Sequence, residues 1–382
     1  MDTSIQGNIP GRGFFRLAID RSSGAISALQ ALGPQRDQAP FLAPGLIDIQ
    51  LNGFAGIDFS APDLEPERAL AVLEPLWRTG TTSFCPTLIT NTPERLSRNF
   101  SILEQARRAD PRFARSVPCY HLEGPYLSPE ARGVHAAELL RLPDWDEFSE
   151  WQEDAGGHIG ILTLAPELAG AVELTGRAWR AGVVVGLGHT VATPEVIHAA
   201  VRAGAELSTH LGNGCPQTLD RHRNPLWAQL NLDPLSASII CDGFHLPPDL
   251  VSVIYRLKRP GRCILITDAT HVATLPPGRY TLVGTEIELL PDGKVIRADG
   301  GSLGGSSLAM NRAVSVFMRL AGAGLDEAIA AATYNPARLL RRPGLCAALV
   351  PGQPANIMRF RPAEEGLKIE AVYLAGEEVW AS

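Results

Sequence analysis

Short apolar runs that end in a polar or ionisable residue recur along the middle of the chain, each followed by a stretch with helical spacing. The runs are GLIDIQL (45–51), TTSFCPT (81–87), SVPCYH (116–121), IGILTL (159–164), VVVGLG (183–188), AELSTH (205–210), ASIICD (237–242) and RCILITD (262–268). Their nearly unbroken apolar character fits strands covered on both faces. Between them, Thr92 followed by Pro93 and Glu94 reads as a helix start, and Leu96, Phe100, Leu103 and Ala106 lie on one helical face. Residues 194–203 and 247–257 read likewise. Eight strand-then-helix units predict an α/β chain folded as a (β/α)8 TIM-like barrel. The competing architecture is a doubly wound open sheet, but no run leads into the G-x-G-x-x-G turn of a dinucleotide fold.

The two ends of the chain follow a different pattern. Residues 14–20 and 25–32 flank a turn signal at 21–24, as in a hairpin, and residues 33–40 are polar and linker-like. Near the other end, residues 355–360, 367–374 and 378–380 read as short strands. Both ends are expected to pair into a small β domain, residues 1–43 with 350–382, leaving residues 44–349 to the barrel. After the eighth run, residues 280–295 read as an inserted hairpin that turns at PDGK (291–294), and helices at 307–321 and 326–333 follow.

Composition narrows the class. With 382 residues, 45% of them hydrophobic, the chain can bury a large core. A net charge of -7 argues against nucleic acid or an anionic membrane as the main partner. No apolar run reaches the ~18 residues that span a bilayer, and the N-terminus carries no basic-then-apolar signal. Six cysteines without a C-x-x-C pair point to reduced, buried thiols and a cytoplasmic location.

In a barrel the strand ends share one mouth, and catalysis occurs there. The polar residues at those ends are Gln50, Asn52, Thr87, His121, Glu123, Thr163, His189, His210, Asp242, His245 and Asp268. His121 and Glu123, two apart on one strand, would project to the same side before Gly124 and Pro125 stop it. Glu123 with His189 and His210 makes a three-ligand set with an open position, the donor pattern of a catalytic divalent ion. Asp268 is the candidate general base for an attacking water. Singly, each has an ordinary explanation: a capped histidine, a turn-capping glutamate, an aspartate starting a helix. Their joint occurrence on separate strands is what points to a site. His158 and His198 fit surface or packing roles.

These residues carry a resemblance. PGLID (44–48), HLEGP (121–125), Gly188 with His189, THLGN (209–213), DGFH (242–245), TDA (267–269) and GSLGGS (301–306) occur in an order that resembles the N-acetylglucosamine-6-phosphate deacetylase family of the amidohydrolase superfamily. The likeness covers the chain from about Pro44 to Asn356. It implies hydrolysis of the acetamide of an N-acetylated amino sugar phosphate, with Asp268 activating the water and His135 polarising the carbonyl. Gln50 and Asn52 stand where many amidohydrolases carry H-x-H for a second metal. Amides are poor ligands beside imidazoles, so the resemblance implies one divalent ion per subunit, zinc foremost, with iron, manganese or cobalt as the other candidates.

Substrate contacts carry over in the same way to Val134, His135, Asn213, Gly214, Asp242, His245, Leu303, Gly304 and Gly305. Arg223, in RHRNP (221–225), matches an arginine that binds the sugar phosphate, often across the interface of a homodimer. The stretch GNGC (212–215), residues 217–220 and Asn224 depart from the family pattern, around the sugar and phosphate subsites and away from the metal. Other N-acyl substrates are the alternatives: N-acetylgalactosamine 6-phosphate, an unphosphorylated N-acetyl sugar or an N-acyl amino acid. An inactive binding barrel is the rival from another class, but such a protein would have lost a ligand or the base, and this chain keeps all four.

Overall fold

The apolar runs become parallel strands because helices cover their outer faces and leave little room for polar side chains. In the computed structural model, which describes residues 3–258, 261–282, 284–299, 303–342 and 344–382, the chain opens with strands β1 (Thr3–Ile9), β2 (Gly13–Asp20), β3 (Ala25–Gly33) and β4 (Phe41–Pro44). It enters the barrel with β5 (Leu46–Leu51) and makes a short hairpin of β6 (Gly53–Phe54) and β7 (Ile57–Asp58). The remaining barrel strands are β8 (Thr81–Ile89), β9 (Tyr120–Glu123), β10 (Ile159–Leu164), β11 (Val184–Leu187), β12 (Ala205–Ser208), β13 (Ser236–Ile240) and β14 (Cys263–Ile266). All eight pair in sequence order, in parallel. A parallel bridge between Leu51 and Ala269 and the bond from Asp268 N to Gln50 O at 3.0 Å close the ring between β14 and β5.

One strand is displaced from the run that announced it. Residues 116–121 were expected as the third strand, yet Ser116 ends the helix Pro111–Ser116 and pairing begins only at Tyr120. Pro118 has no N–H to give a ladder, so the strand starts beyond it. The helix Pro93–Ala109 forms as its spacing predicts: the Thr92 hydroxyl accepts from Arg95 N, Pro93 fills the first turn, and Leu96, Phe100, Leu103 and Ala106 are buried.

Strands β15 (Gly278–Leu282), β16 (Thr285–Leu289) and β17 (Val295–Arg297) follow the barrel. They make a three-stranded antiparallel sheet, one strand more than the hairpin expected at 280–295, over its own apolar cluster of Val272, Leu282, Ile287, Leu289 and Val295. The chain ends with β18 (Ile357–Ala363), β19 (Gly366–Leu374) and β20 (Glu377–Ala381), which join β1–β4 in a seven-stranded sheet of order β20-β19-β18-β4-β1-β2-β3. That sheet packs around Leu17, Ile19, Ile26, Leu42 and Ile357, each worth ~2 kcal/mol when fully removed from water. Among the described residues, no helix is long and apolar enough to cross a membrane.

Candidate active site

Glu123 is the last residue of β9, and His189, His210 and Asp268 each stand two residues past the end of β11, β12 and β14. Those three residues share an uncommon backbone, with φ of 49°, 32° and 49°. Non-glycine residues at positive φ are disfavoured and cluster at functional sites. All three side chains line one cavity just beyond the strand ends. Glycine is required beside them: a Cβ on Gly214 would lie 3.0 Å from His189 Nδ1 and 3.1 Å from His210 Cε1.

The side chains converge. Glu123 Oε1 is 2.9 Å from His210 Nε2 and 3.3 Å from His189 Nε2, and one donor atom from each of the three lies within 4.8 Å of the others. His189 Nδ1 donates to Ala131 O at 2.9 Å, which orients the ring with Nε2 toward Glu123. Burial alone would raise the Glu123 carboxyl, but the His189 and His210 hydrogen bonds and charges overcome it and hold it well below the ordinary range. His210 moves the other way: burial lowers it, and the bond to Glu123 raises it above its usual value. A buried carboxylate with two imidazoles turned toward it is a donor set that suits a divalent cation.

Asp268 lies in the same cavity. Gln50 Nε2 and Asn52 Nδ2 donate to its Oδ1 at 3.2 and 2.7 Å; desolvation and the Glu123 charge raise its carboxyl to about 6. Below it, Asp48 ties the first strand to the eighth: Oδ1 accepts from Gln50 N and Thr267 N, and Oδ2 accepts from the Thr267 hydroxyl. Burial pushes the Asp48 carboxyl up to about 7. His121 faces the barrel interior with Glu123, as its spacing predicts, but its ring nitrogens are taken by Ile49 O and the Thr163 hydroxyl at 3.1 and 2.8 Å.

A cavity of about 650 Å³ opens above these groups. Of the residues singled out in the sequence, Asn52, Glu123, Val134, His135, His189, His210, Asn213, Gly214, His245, Asp268, Leu303 and Gly305 line it. His135 is buried, its Nδ1 2.7 Å from the Thr90 hydroxyl and its ring centroid 4.6 Å from that of His189. Burial, aided by His189, lowers it to about 3, so the ring is neutral. Asn213 Nδ2 is buried without a partner. Asp242 does not line the cavity; it braces His245, whose Nδ1 is 2.6 Å from Asp242 Oδ2. Gln50 and Gly304 also sit behind the wall. Arg223 lies outside, exposed and paired with Glu195 at 2.8 Å. Gly301 and Ser302 of the GSLGGS stretch fall outside the described residues.

Some contributors had no distinctive mark in the sequence. Thr90 is an ordinary strand-end threonine until His135 folds onto it. Lys294, expected only as a turn residue, is the one lysine or arginine among the described residues that line this cavity.

No protein-family model matches the chain. It is 35% identical over 352 residues to an N-acetylglucosamine-6-phosphate deacetylase from Bos taurus, covering 89% of this chain and 83% of that one. It is 32% identical over 364 residues to an N-acetylgalactosamine-6-phosphate deacetylase from Escherichia coli O157:H7, covering 93% of each. Among solved structures, it superposes with a TM-score of 0.88 at 30% identity, over 99% of each chain, on a mutant N-acetyl-D-glucosamine-6-phosphate deacetylase from Mycobacterium smegmatis in complex with N-acetyl-D-glucosamine-6-phosphate.

Proposed function

Because the chain belongs to the N-acetylglucosamine-6-phosphate deacetylase family of amidohydrolases, we propose that it cleaves the acetamide of N-acetylglucosamine 6-phosphate to glucosamine 6-phosphate and acetate. The observation that carries this reading is the convergence of Glu123, His189 and His210, with Asp268 in the same cavity. Glu123, His189 and His210 would hold one divalent ion, zinc foremost, with iron, manganese and cobalt compatible with the same donors. Such an ion supplies positive charge at the reacting centre and acidifies water.

The protein's own groups account for the rest of the reaction. Amide resonance must be overcome, so the attacking water needs a base, the carbonyl oxygen an electrophile and the departing nitrogen a proton. Asp268, held through Oδ1 by Asn52 and Gln50, accepts the water proton and returns it to the amine as the C–N bond breaks. His135 polarises the carbonyl. Its Nδ1 pairs with the Thr90 hydroxyl at 2.7 Å; with that hydroxyl as donor, the ring proton would sit on Nε2, where it can reach the carbonyl oxygen. Asn213 Nδ2 and the His245 ring, fixed by Asp242, offer donors to sugar hydroxyls, and Val134, Gly214, Leu303 and Gly305 shape the sugar subsite, with Gly304 behind them.

Arg223 does not line its own chain's cavity and is paired with Glu195 at the surface. We infer that it reaches the substrate phosphate of a neighbouring subunit in a homodimer, where the half-exposed Trp227 beside it would also be covered. A cytoplasmic location is part of the same reading, supported by six unpaired cysteines, five of them buried.

The test is acetate release from N-acetylglucosamine 6-phosphate, its galactosamine epimer, the unphosphorylated sugar and an N-acetyl amino acid, with and without chelator. Chelator-sensitive turnover fastest on the glucosamine phosphate is expected. Equal turnover on the unphosphorylated sugar would remove the phosphate assignment.

A further inference from the structure

A second cavity, of about 660 Å³, lies at the opposite end of the barrel. Pro118 and His158, which precede β9 and β10, line it, as do the β2–β3 turn and the segment leading into β18. It therefore separates the barrel floor from the terminal sheet, a position typical of ligand sites between packed units. Among the described residues, its lining includes Arg107, Arg115 and Arg342 and no aspartate or glutamate.

That composition is unexpected on a chain with 41 acidic residues against 34 lysines and arginines. Guanidinium groups stay charged at all accessible pH values, and three around one space repel each other unless an anion intervenes. Among the described residues, none of the three is in an ion pair, whereas Arg341, the neighbour of Arg342, is paired with Glu206. Glu104, behind the wall, is already taken by the Tyr120 hydroxyl at 2.7 Å and His158 Nδ1 at 2.9 Å. The arginines are also positioned. Arg107 is anchored through Nη1 to Val117 O. Arg342 lies against the barrel floor, where a Cβ on Gly160 would come within 3.0 Å of its Nη2.

We propose that this cavity binds a phosphoryl dianion, as free phosphate or as a small phosphate monoester, through Arg107, Arg115 and Arg342. Arginine is suited to this by its planar set of donors. The site is separate from the deacetylase centre and does not depend on the activity assigned there.

Isothermal titration of the metal-loaded enzyme with inorganic phosphate, and separately with glucose 6-phosphate, tests the proposal. The proteins are wild type, Arg115→Glu, the double variant Arg115→Gln/Arg342→Gln, and Arg223→Ala. Saturable binding should survive in Arg223→Ala and weaken about tenfold or more in the double variant. Arg115 is exposed, so Arg115→Glu keeps the test decisive should the double variant fail to fold. Binding of phosphate alone assigns the free ion; stronger binding of the sugar phosphate assigns the ester. The proposal is overturned if wild type binds neither, or if Arg115→Glu and the double variant bind as wild type does.

Discussion

Asn52 Nδ2 donates to Asp268 Oδ1 at 2.7 Å, joining the end of the first barrel strand to the end of the last. The donor favours the ionised form of a carboxylate that burial pushes toward neutrality. Replacing Asn52 by Leu removes it. The acidic limb of the pH profile of kcat/KM should then move to higher pH, and activity at neutral pH should fall about tenfold. A profile superimposable on wild type would show that Asn52 does not tune the base.

Metal loading is the second expectation. Purified protein should carry one divalent ion per chain, and Glu123→Gln or His210→Ala should abolish retention. Removal by chelator should also lower the melting temperature, since ligand present at a thousand times its Kd contributes about 4 kcal/mol. Mass-spectrometric metal analysis beside a thermal melt reads both. A Glu123→Gln protein that keeps a full equivalent would refute the ligand set.

Gly214 gives a steric test of the same centre. Gly214→Ala places a methyl group against both imidazoles at a residue with φ of 59°. Metal affinity should drop roughly 10- to 100-fold while far-UV circular dichroism stays unchanged. Wild-type affinity would mean that the two histidines can shift without cost.

Asp48 predicts a pH dependence of stability. Its folded pKa is raised from 3.8 to about 7, so between those values the folded state binds more protons than the unfolded chain. The stability it contributes is fully present below about pH 4 and is lost as pH rises through about 7, on the order of 4 kcal/mol if the unfolded value is ordinary. Asp48→Asn should flatten that part of the curve in urea titrations between about pH 5 and 8. An unchanged slope would assign the dependence to other groups.

Much of the architecture was legible in sequence because buried parallel strands require long apolar runs, and IGILTL became β10 (Ile159–Leu164) without a residue's difference. β1 and β4 were not legible. TSIQGNI mixes glycine and polar residues, and FLAP is four residues long, so both depend on partners far along the chain. The third strand of the insert, Val295–Arg297, is shorter still. In the site, Glu123, His189, His210 and Asp268 were marked by residue type at strand ends. The positive φ of the last three was not, because His and Asp, though enriched there, adopt a left-handed turn far less often than Gly. Arg223 shows the reverse limit: a motif match can single out a residue, but only the folded chain shows it paired with Glu195 and outside the lining of its own cavity.

The seam between Leu51 and Ala269 has a consequence for biosynthesis. The base and the amides that hold it come from the two staves that meet last, so a nascent chain emerging from the ribosome has two imidazoles and a glutamate in hand long before it has a competent mouth. Asp268 gains its amide donors only when the ring closes between those staves. Any nick or truncation that opens the ring between those staves should silence catalysis outright, even where most of the helices survive.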